Sequence, residues 1–381
     1  MLQRHIGDIP FFVDTHSARD IYLPDSILKD NNLHQPITQH QILSVFSRSS
    51  YRPLLLSWEL LDKCNFKCPF CYIVGRSHNK LIRFSSIESC LNEFIAEGLL
   101  YCTLTGGEAL YHVDFPSIYR HLKSNGVFVE IYTNGYSVTS EILSLFKEFP
   151  PYAVEVSIYG LSDSVFRRNT GSNLSASVVL QNIIRLRDAG IELKCKTPLN
   201  TMTITEFEQI QNWCQSEQIH HYYSTEMTYG YDGNSTDAWA LPLAQSAPYD
   251  AINVAQSDGI VCSSNDHIKT CYTCSVGKYG LYIDSAFRLL PCSSFAYKKT
   301  GVNITENGVQ SAIAEMLSFV NPMLGAKILG CSGCSAYSTC KMCPALGRET
   351  IDKNGQLLGF STYSEFCSKT RERHSLINNN T

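Results

Sequence analysis

The amino-acid sequence predicts an α/β protein: a partial, TIM-like (β/α)6 barrel followed by a small cysteine-rich domain. Six apolar, β-rich runs alternate with helical patterns, at residues 54–61, 100–105, 127–133, 153–158, 192–199 and 220–227. Regular alternation of strands and helices builds a parallel sheet. Six units are fewer than the eight of a closed barrel, so the predicted barrel is open.

The helix boundaries between these strands follow capping rules. Ser85 with Glu88, and Thr205 with Glu208, each match the capping box, in which two side chains satisfy free backbone donors. Gly190 follows the fourth helix, where a left-handed C-terminal cap is expected.

The two flanks of the barrel differ in character. Residues 256–381 are rich in cysteine, with short strands at 280–283 and 288–290 and few long helices. Such a segment needs metal to be stable. The predicted domains are therefore 1–52, 53–255 and 256–381.

The amino-terminal segment, residues 1–52, forms a third piece. Residues 11–13 and 21–23 are typical of short strands around turns, and 39–47 is typical of a helix.

Composition excludes some classes of function. The net charge is −4 over 381 residues, with no basic block, so the footprint of a nucleic-acid-binding protein is missing. The first residues lead into no apolar stretch, and no apolar run approaches the roughly 20 residues of a membrane span. We expect a cytoplasmic protein with no nucleic-acid or membrane partner.

Sixteen cysteines are many for a cytoplasmic protein. In a reducing compartment, clustered cysteines bind metal or do redox chemistry rather than form disulfides. Three lie within residues 64–71 and nine between 262 and 367. The four scattered cysteines are expected to be small buried side chains; they are Cys90, Cys102, Cys195 and Cys214.

Cys64, Cys68 and Cys71 lie in the loop directly after the first strand. Three thiolates at this spacing can hold three irons of a [4Fe–4S] cube, because soft sulfur ligands select iron–sulfur clusters or zinc. The fourth iron is then free to bind a chelating small molecule. A zinc site is the alternative, with His78 as the nearest fourth ligand.

This cysteine spacing, with aromatic Phe70 before the last cysteine, resembles the radical S-adenosylmethionine (SAM) superfamily. The resemblance continues after the second strand, where Gly106-Gly107-Glu108 is similar to the motif that receives the amino group of SAM. Glycines allow close backbone approach, and a carboxylate suits an ammonium group.

Weaker similarities follow in order along the chain. The resemblance implies that Asn134 contacts the ribose, that Ser157 touches SAM and that Phe70 stacks near the adenine. Turn chemistry explains Asn134 with its following glycine equally well, and Phe70 is also compatible with the core. An arginine commonly pairs with the SAM carboxylate in this family; Arg167 and Arg168 fall slightly early, which leaves that role open.

The family resemblance implies a reaction. A reduced [4Fe–4S] cluster transfers one electron to bound SAM, which yields methionine and a 5′-deoxyadenosyl radical that removes a hydrogen atom from the substrate. The protein positions the cofactor and excludes competing chemistry. An electron donor such as flavodoxin or ferredoxin is an expected partner.

The carboxyl-terminal cysteines resemble the SPASM domain, which carries two auxiliary iron–sulfur clusters, expected to be [4Fe–4S]. One would be held by Cys274, Cys292 and Cys343 with Cys271, or alternatively Cys262. The other ligand set is Cys331, Cys334, Cys340 and Cys367. Cysteines 331 to 343 also fit the spacing of a zinc ribbon.

Members with both domains mostly modify peptides, so the resemblance implies a maturase of a ribosomally made precursor peptide that installs a carbon–carbon or thioether crosslink. Sulfatase-maturing relatives carry an aspartate where this chain has Ser293, which ranks that activity second. A non-catalytic iron–sulfur electron-transfer or sensor protein is the third alternative, and the SAM motif at Gly106–Glu108 argues against it. Residues 1–52 are too few for a complete leader-binding domain; they would be a reduced one or a barrel plug, with leader binding by a separate protein.

Other roles stay open at the level of sequence. Tyrosines after the sixth strand would line a peptide cleft or pack in the core; they are Tyr222, Tyr223, Tyr229 and Tyr231. No general base is identified, although Asp266, His267 and Asp284 lie in the appropriate domain.

Overall fold

The computed structural model describes most of the chain. The described residues are 1–34, 36–46, 51–73, 81–227, 236–256, 275–298, 301–324, 327–329, 336, 348–351, 357–361 and 364–379.

Strands and helices are numbered in chain order. The strands are β1 (Leu2–Ile6), β2 (Ile9–Val13), β3 (Ile21–Tyr22), β4 (Leu55–Glu59), β5 (Tyr101–Thr105), β6 (Phe128–Thr133), β7 (Ala153–Ser157), β8 (Leu193–Pro198), β9 (His220–Ser224), β10 (Gly280–Ile283), β11 (Arg288–Leu290), β12 (Val302–Asn303), β13 (Lys327–Leu329), β14 (Arg348–Ile351) and β15 (Leu357–Ser361). The helices are α1 (Asp25–Asp30), α2 (Gln39–Phe46), α3 (Glu88–Ala96), α4 (Phe115–Ser124), α5 (Ser140–Glu148), α6 (Asp163–Thr170), α7 (Ala176–Asp188), α8 (Phe207–Ser216), α9 (Leu243–Gln256), α10 (Ile304–Asn307), α11 (Val309–Leu324) and α12 (Ser364–Asn379).

The predicted α/β fold is confirmed. Strands β4 to β9 pair in sequence order, all parallel, and helices connect them. All six predicted strand runs are present, each trimmed by up to three residues at its ends. The main apolar core lies between this sheet and its helices, as amphipathic α4 illustrates: Phe115, Ile118 and Leu122 are fully buried on one face.

The central sheet extends beyond the six predicted units. The strands expected at 280–283 and 288–290 exist as β10 and β11, but β10 pairs in parallel with β4. Strands β11 and β12 follow antiparallel, which gives nine strands in all. The first strands of the cysteine-rich segment are therefore part of the same sheet as the barrel.

Both predicted capping boxes are wrong. Ser85 lies in a 3₁₀ turn, and helix α3 begins at Glu88 with Ile87 at its N-cap and no side-chain cap. The Thr205 hydroxyl donates to the Met202 carbonyl instead. A 3₁₀ turn leads into each of these helices and supplies their first carbonyl acceptors, so no side-chain cap is needed. The predicted left-handed residue after α7 is confirmed, with φ of +73° at Gly190.

The amino-terminal segment is an antiparallel sheet of β1, β2 and β3 followed by two helices. The expected strands at 11–13 and 21–23 and the helix at 39–47 are found, whereas β1 was not expected. This segment has its own apolar cluster, which includes Ile6, Phe11 and Phe46. The cluster also contains Leu54 and Leu100, which directly precede β4 and β5. The segment therefore covers the amino ends of the barrel strands.

Arg4 ties this cover to the barrel. Its guanidinium donates to the carbonyls of Ile95 (3.0 Å), Leu99 (2.7 Å) and Gly126 (3.1 Å). These carbonyls lie at or just beyond the carboxyl ends of α3 and α4, where backbone acceptors lack helical partners. Burial lowers the pKa of Arg4 to about 10.

The carboxyl-terminal segment holds more helix than expected. Helices α11 and α12 each have 16 residues, against the expectation of few long helices. Helix α12 packs against α9, and β13, β15 and β14 form a small separate sheet. No helix in the described part of the chain combines the length and apolarity that crossing a membrane demands.

Candidate metal and cofactor site

The three cysteines of the first motif lie together in the loop that follows β4. The Cys71 amide donates to the Cys68 carbonyl (3.1 Å), which makes this part of the loop a tight turn. The Lys67 amide donates to the Thr170 carbonyl (2.7 Å), so the loop is also held by the end of α6. Charge on Cys64 or Cys71 acts on Cys68, so the three sulfurs are electrostatic neighbours.

Burial sets the protonation of these thiols. It raises the pKa of Cys64 to about 11 and that of Cys68 well above its usual value. Metal binding must therefore displace protons, as thiolate ligation requires. Among the described residues, no three His, Cys, Asp or Glu side chains gather as ligands of a single ion. A [4Fe–4S] cube makes no such demand, because each thiolate binds its own iron.

Gly106 and Gly107 hold the start of the cysteine loop by close backbone contact. The Gly107 amide donates to the Leu61 carbonyl (2.8 Å). A Cβ at Gly106 would lie 2.4 Å from the Leu61 oxygen, and one at Gly107 would lie 2.3 Å from the Lys63 oxygen. Only glycine fits at both positions, because the neighbouring atoms are backbone.

Glu108 is buried and bonded to the protein. Its carboxylate accepts hydrogen bonds from the Leu110 amide (3.1 Å), the Thr133 hydroxyl (2.7 Å) and the Asn134 amide (2.8 Å). Burial raises its pKa, and these three donors oppose the shift. A carboxylate has about four acceptor sites, so one remains for a further donor.

Asn134 contacts the cysteine loop. Its Nδ2 atom donates to Asn65 Oδ1 (2.7 Å) and lies 3.5 Å from Cys64 Sγ, and its Oδ1 accepts from the Tyr136 amide (2.9 Å). The sequence pattern indicated the position of Asn134 at the strand end but not this contact with cysteine.

Aromatic side chains surround the loop. The ring centroids of Phe70 and Tyr159 are 6.3 Å apart. Tyr159 is hydrogen-bonded to Ser157, and it is close enough to all three cysteines for their charges, in addition to burial, to raise its pKa. Phe66 meets Tyr159 and Phe166 edge to face at 5.8 and 5.5 Å. Tyr159 and Phe66 were missed in the sequence, although both lie within the motifs that were identified.

The two candidate arginines face the surface. Arg167 pairs with Asp163 (3.0 Å) and donates to the Leu174 carbonyl (3.2 Å). Arg168 is exposed on the same helix. In this arrangement Arg167 is engaged away from the cysteine loop.

A cavity of about 450 Å³ lies inside the barrel, beside the cysteine loop. Tyr72, which follows Cys71, and Thr105, which precedes Gly106, form part of its wall. Cys292 and Ser293, which follow β11, form another part. The cavity therefore joins the first cysteine motif to the cysteine-rich segment.

The barrel wall beside this cavity carries buried charge. Glu155 accepts a hydrogen bond from the Tyr222 hydroxyl, and the ammonium of Lys196, which lines the cavity, lies 5.7 Å from the Tyr222 ring centroid. Burial raises the pKa of Glu155 to about 7, against the opposing effect of Lys196. The Tyr223 hydroxyl donates to the Tyr249 carbonyl, so Tyr223 is a packing residue.

Two of the predicted auxiliary cysteines are described, Cys292 and Cys367, and both are half-buried. Asp284 is buried and paired with Arg288 (2.7 Å), so it is not a free base. The remaining predictions lie outside the described residues; they are His78, Tyr229, Tyr231, Cys262, Asp266, His267, Cys271, Cys274, Cys331, Cys334, Cys340 and Cys343.

Comparisons with known proteins agree with the first motif. Residues 58–214 match the model of the Radical SAM superfamily. GTP 3′,8-cyclase of Aquifex aeolicus is 29% identical over 151 residues, covering 38% of this chain and 47% of that protein. Mycofactocin maturase MftC of Mycobacterium tuberculosis is 25% identical over 173 residues, 44% of each chain. The chain spans about half the length of the curated relatives it matches first.

Solved structures share the fold over a longer stretch. SuiB of Streptococcus suis bound to S-adenosylmethionine superposes with a TM-score of 0.61 at 15% identity, covering 84% of this chain and 82% of that one. SuiB bound to its precursor peptide SuiA gives a TM-score of 0.55 at 16% identity, with coverage of 84% and 74%. At this identity the likeness establishes the fold alone.

Proposed function

We propose that this chain, whose residues 58–214 form a radical SAM domain, is a peptide maturase that installs a carbon–carbon or thioether crosslink in a ribosomally made precursor. Cys64, Cys68 and Cys71 would hold a [4Fe–4S] cluster. Such a cluster supplies one electron to bound SAM, which releases the 5′-deoxyadenosyl radical that removes a substrate hydrogen atom.

The chain's own residues would position SAM at this site. Gly106 and Gly107 bring backbone next to the cysteine loop, and Glu108 keeps one acceptor site for the SAM ammonium. Phe70 and Ser157, gathered around Tyr159, would meet the adenosine part, with Asn134 at the adjoining strand end. Together these groups exclude water from the reacting centre.

The observation that carries the proposal is the cavity between the two cysteine regions. A substrate in it would touch Tyr72, beside Cys71, and Cys292, a proposed ligand of an auxiliary cluster. A crosslink removes two electrons from the substrate, and an auxiliary cluster near the radical can accept the second. We propose that two such clusters exist, with the carboxyl-terminal cysteines as ligands.

Ser293 favours crosslinking over sulfatase maturation. It lies in the cavity wall, at the position where the resemblance to sulfatase-maturing enzymes would require an aspartate. A hydroxyl there cannot serve as the proton acceptor that such a carboxylate provides.

A nucleotide substrate is the second candidate, because the first curated relatives are GTP 3′,8-cyclases. The matches to those two relatives cover 38% and 41% of this chain. Among the described residues that line the cavity, Lys196 is the single basic side chain. A triphosphate is typically bound by several cationic groups, so the lining favours a peptide.

The expected partners follow from this function. A precursor peptide would be the substrate, and a cytoplasmic flavodoxin or ferredoxin would supply electrons. The described residues of the segment 1–52 pack at the amino ends of the strands, opposite the cysteine loop. We therefore propose that this segment is the barrel plug and that a separate protein binds the leader. The division into domains 1–52, 53–255 and 256–381 remains part of this proposal.

The test combines peptide and nucleotide substrates. Protein loaded with iron without oxygen, then reduced, should convert a short peptide encoded beside its gene into a product two mass units lighter. Cys292→Ser should stop crosslinking while SAM cleavage continues, whereas Cys90→Ser, a buried cysteine on α3, should change neither. Cyclisation of GTP with no change in the peptide would contradict the proposal.

A further inference from the structure

Two asparagine amides next to Cys64 have a fixed orientation. The Tyr136 amide donates to Asn134 Oδ1 (2.9 Å), which turns the Nδ2 atom of Asn134 toward the cysteine loop. There Asn134 Nδ2 donates to Asn65 Oδ1 (2.7 Å) and lies 3.5 Å from Cys64 Sγ. The backbone N–H of Tyr136 can only donate, so the network itself assigns which atom of the Asn134 amide is nitrogen.

The orientation of Asn134 in turn fixes Asn65. Asn65 Oδ1 accepts from Asn134, so the Nδ2 atom of Asn65 is the free end of the pair. This nitrogen is buried and finds no hydrogen-bond partner among the described residues. A buried donor without an acceptor is unfavourable, so its presence beside a cysteine motif points to a bound group that supplies the acceptor.

Cys64 is the sulfur at the centre of this arrangement. As a thiol it donates to Asn65 Oδ1 at 3.6 Å, and it accepts from the Phe66 amide at 3.3 Å. As a metal-bound thiolate it has no proton to donate and can only accept. Its donors would then be the Phe66 amide and Asn134. The free Asn65 nitrogen does not bond to Cys64 Sγ, so it is available to an acceptor on the bound group itself.

We infer that Asn134 donates a hydrogen bond to the Cys64 sulfur, that the free Asn65 nitrogen donates to a sulfide of the bound cluster, and that both bonds raise the reduction potential of the cluster. The inference rests on the proposed function, because it requires the [4Fe–4S] cluster. Hydrogen bonds to cluster sulfur stabilise the reduced state, which carries more negative charge, and second-layer partners of this kind tune metal sites. Both asparagines are positioning residues that act through the cluster.

The test measures potential rather than activity. Asn134→Ser removes the amide nitrogen but keeps an oxygen that can accept from the Tyr136 amide, as serine does in such turns. Asn65→Ser removes the unpartnered donor. Asn182→Ser is the matched control, because Asn182 donates to the Gly135 and Tyr136 carbonyls of the same turn and accepts from Arg185 rather than from the cysteine loop.

Each protein is loaded with iron, freed of SAM and titrated with a reductant of known potential while the reduced cluster is followed by electron paramagnetic resonance. At a fixed potential, Asn134→Ser and Asn65→Ser should each lower the ratio of reduced to oxidised cluster about tenfold, or ~59 mV for one electron. Asn182→Ser should stay within about twofold of the parent.

Several outcomes overturn the inference. Unchanged potentials in both variants, or an equal shift in Asn182→Ser, would assign the pair a structural role. Failure of both variants to load iron would do the same. If Asn65→Ser weakened SAM binding but left the potential unchanged, the Asn65 nitrogen would be assigned as a hydrogen-bond donor to SAM instead of to the cluster. Failure of the parent to load iron is a separate result, since it refutes the proposed function itself.

Discussion

The two ends of the barrel differ in the kinds of contact that hold them together. At the carboxyl ends of the strands, glycines pack against loop backbone, and Asn65 keeps a buried donor without a partner. At the amino ends, an apolar cluster around Phe11 closes the strands, and Arg4 satisfies three carbonyls. The carboxyl end carries a buried donor suited to a ligand, whereas the amino end is closed by apolar side chains and by Arg4. We infer that the difference separates residues that serve the proposed chemistry from residues that stabilise the fold.

The largest effect is expected from a substitution that disrupts the carboxyl end of the barrel. Gly107→Ala places a Cβ 2.3 Å from the Lys63 carbonyl oxygen, a backbone atom that cannot move aside without shifting the cysteine loop. We expect loss of cluster loading, measured as iron per protein after anaerobic reconstitution.

Gly190→Ala is the matched control for this substitution. Gly190 has a left-handed backbone with φ of +73°, but its Cβ would meet nothing within 4 Å. It should cost about 1 kcal/mol of stability and leave iron loading intact. Normal iron loading in Gly107→Ala would show that the contact between glycine and loop is not needed.

The next effect breaks the amino end. Phe11 is fully buried, with its ring 5.6 Å from that of Phe46. Phe11→Ala should lower the free energy of unfolding by about 3–5 kcal/mol in urea titrations, the usual range for a buried phenylalanine.

SAM affinity in folded Phe11→Ala should equal that of the parent, because the apolar cluster around Phe11 lies at the end of the barrel opposite the cysteine loop. Phe12→Ala, a partly exposed neighbour on the same strand, should cost far less stability. A large loss of SAM affinity in Phe11→Ala would contradict the separation of the two ends.

A smaller effect concerns the barrel wall between the ends. Burial raises the pKa of Glu155 from 4.5 to about 7 in the fold, with Tyr132, Tyr222, Lys196, Lys194 and Glu130 around it. A carboxyl group with a raised pKa holds its proton better when folded, so its contribution to stability falls as pH rises from about 4.5 to 7.

Glu155→Gln should remove this dependence. Both proteins are compared without metal. The unfolding free energy of Glu155→Gln minus that of the parent should increase by roughly 3 kcal/mol between pH 4 and pH 8. A stability difference that does not vary with pH would mean that Glu155 is ionised normally in the fold.

The sequence predicted much of the fold and part of the site. The six barrel strands follow from hydrophobic runs and their alternation with helices, which are local signals. The pairing of β10 with β4 joins residues more than 200 apart, and no local pattern encodes it. The helix starts near Ser85 and Thr205 were misassigned because a 3₁₀ turn replaced the side-chain cap.

The site shows the same division. The cysteine spacing and Gly106-Gly107 can be recognised in the sequence, because the residues of each motif lie within a few positions of one another. The contact between Asn134 and Asn65 depends on the ends of two strands meeting in space. Tyr159 was overlooked for the same reason, since its proximity to the cysteines arises from tertiary packing.

The most direct measurement tests whether the carboxyl end of the barrel carries radical SAM chemistry. Iron-loaded protein, reduced without oxygen and given SAM alone, should form 5′-deoxyadenosine and methionine, detected by liquid chromatography and mass spectrometry. The variant with Cys64, Cys68 and Cys71 all changed to alanine should lose about four irons and form neither product. Equal yields from the two proteins, or no 5′-deoxyadenosine from the iron-loaded, reduced parent, would contradict the account.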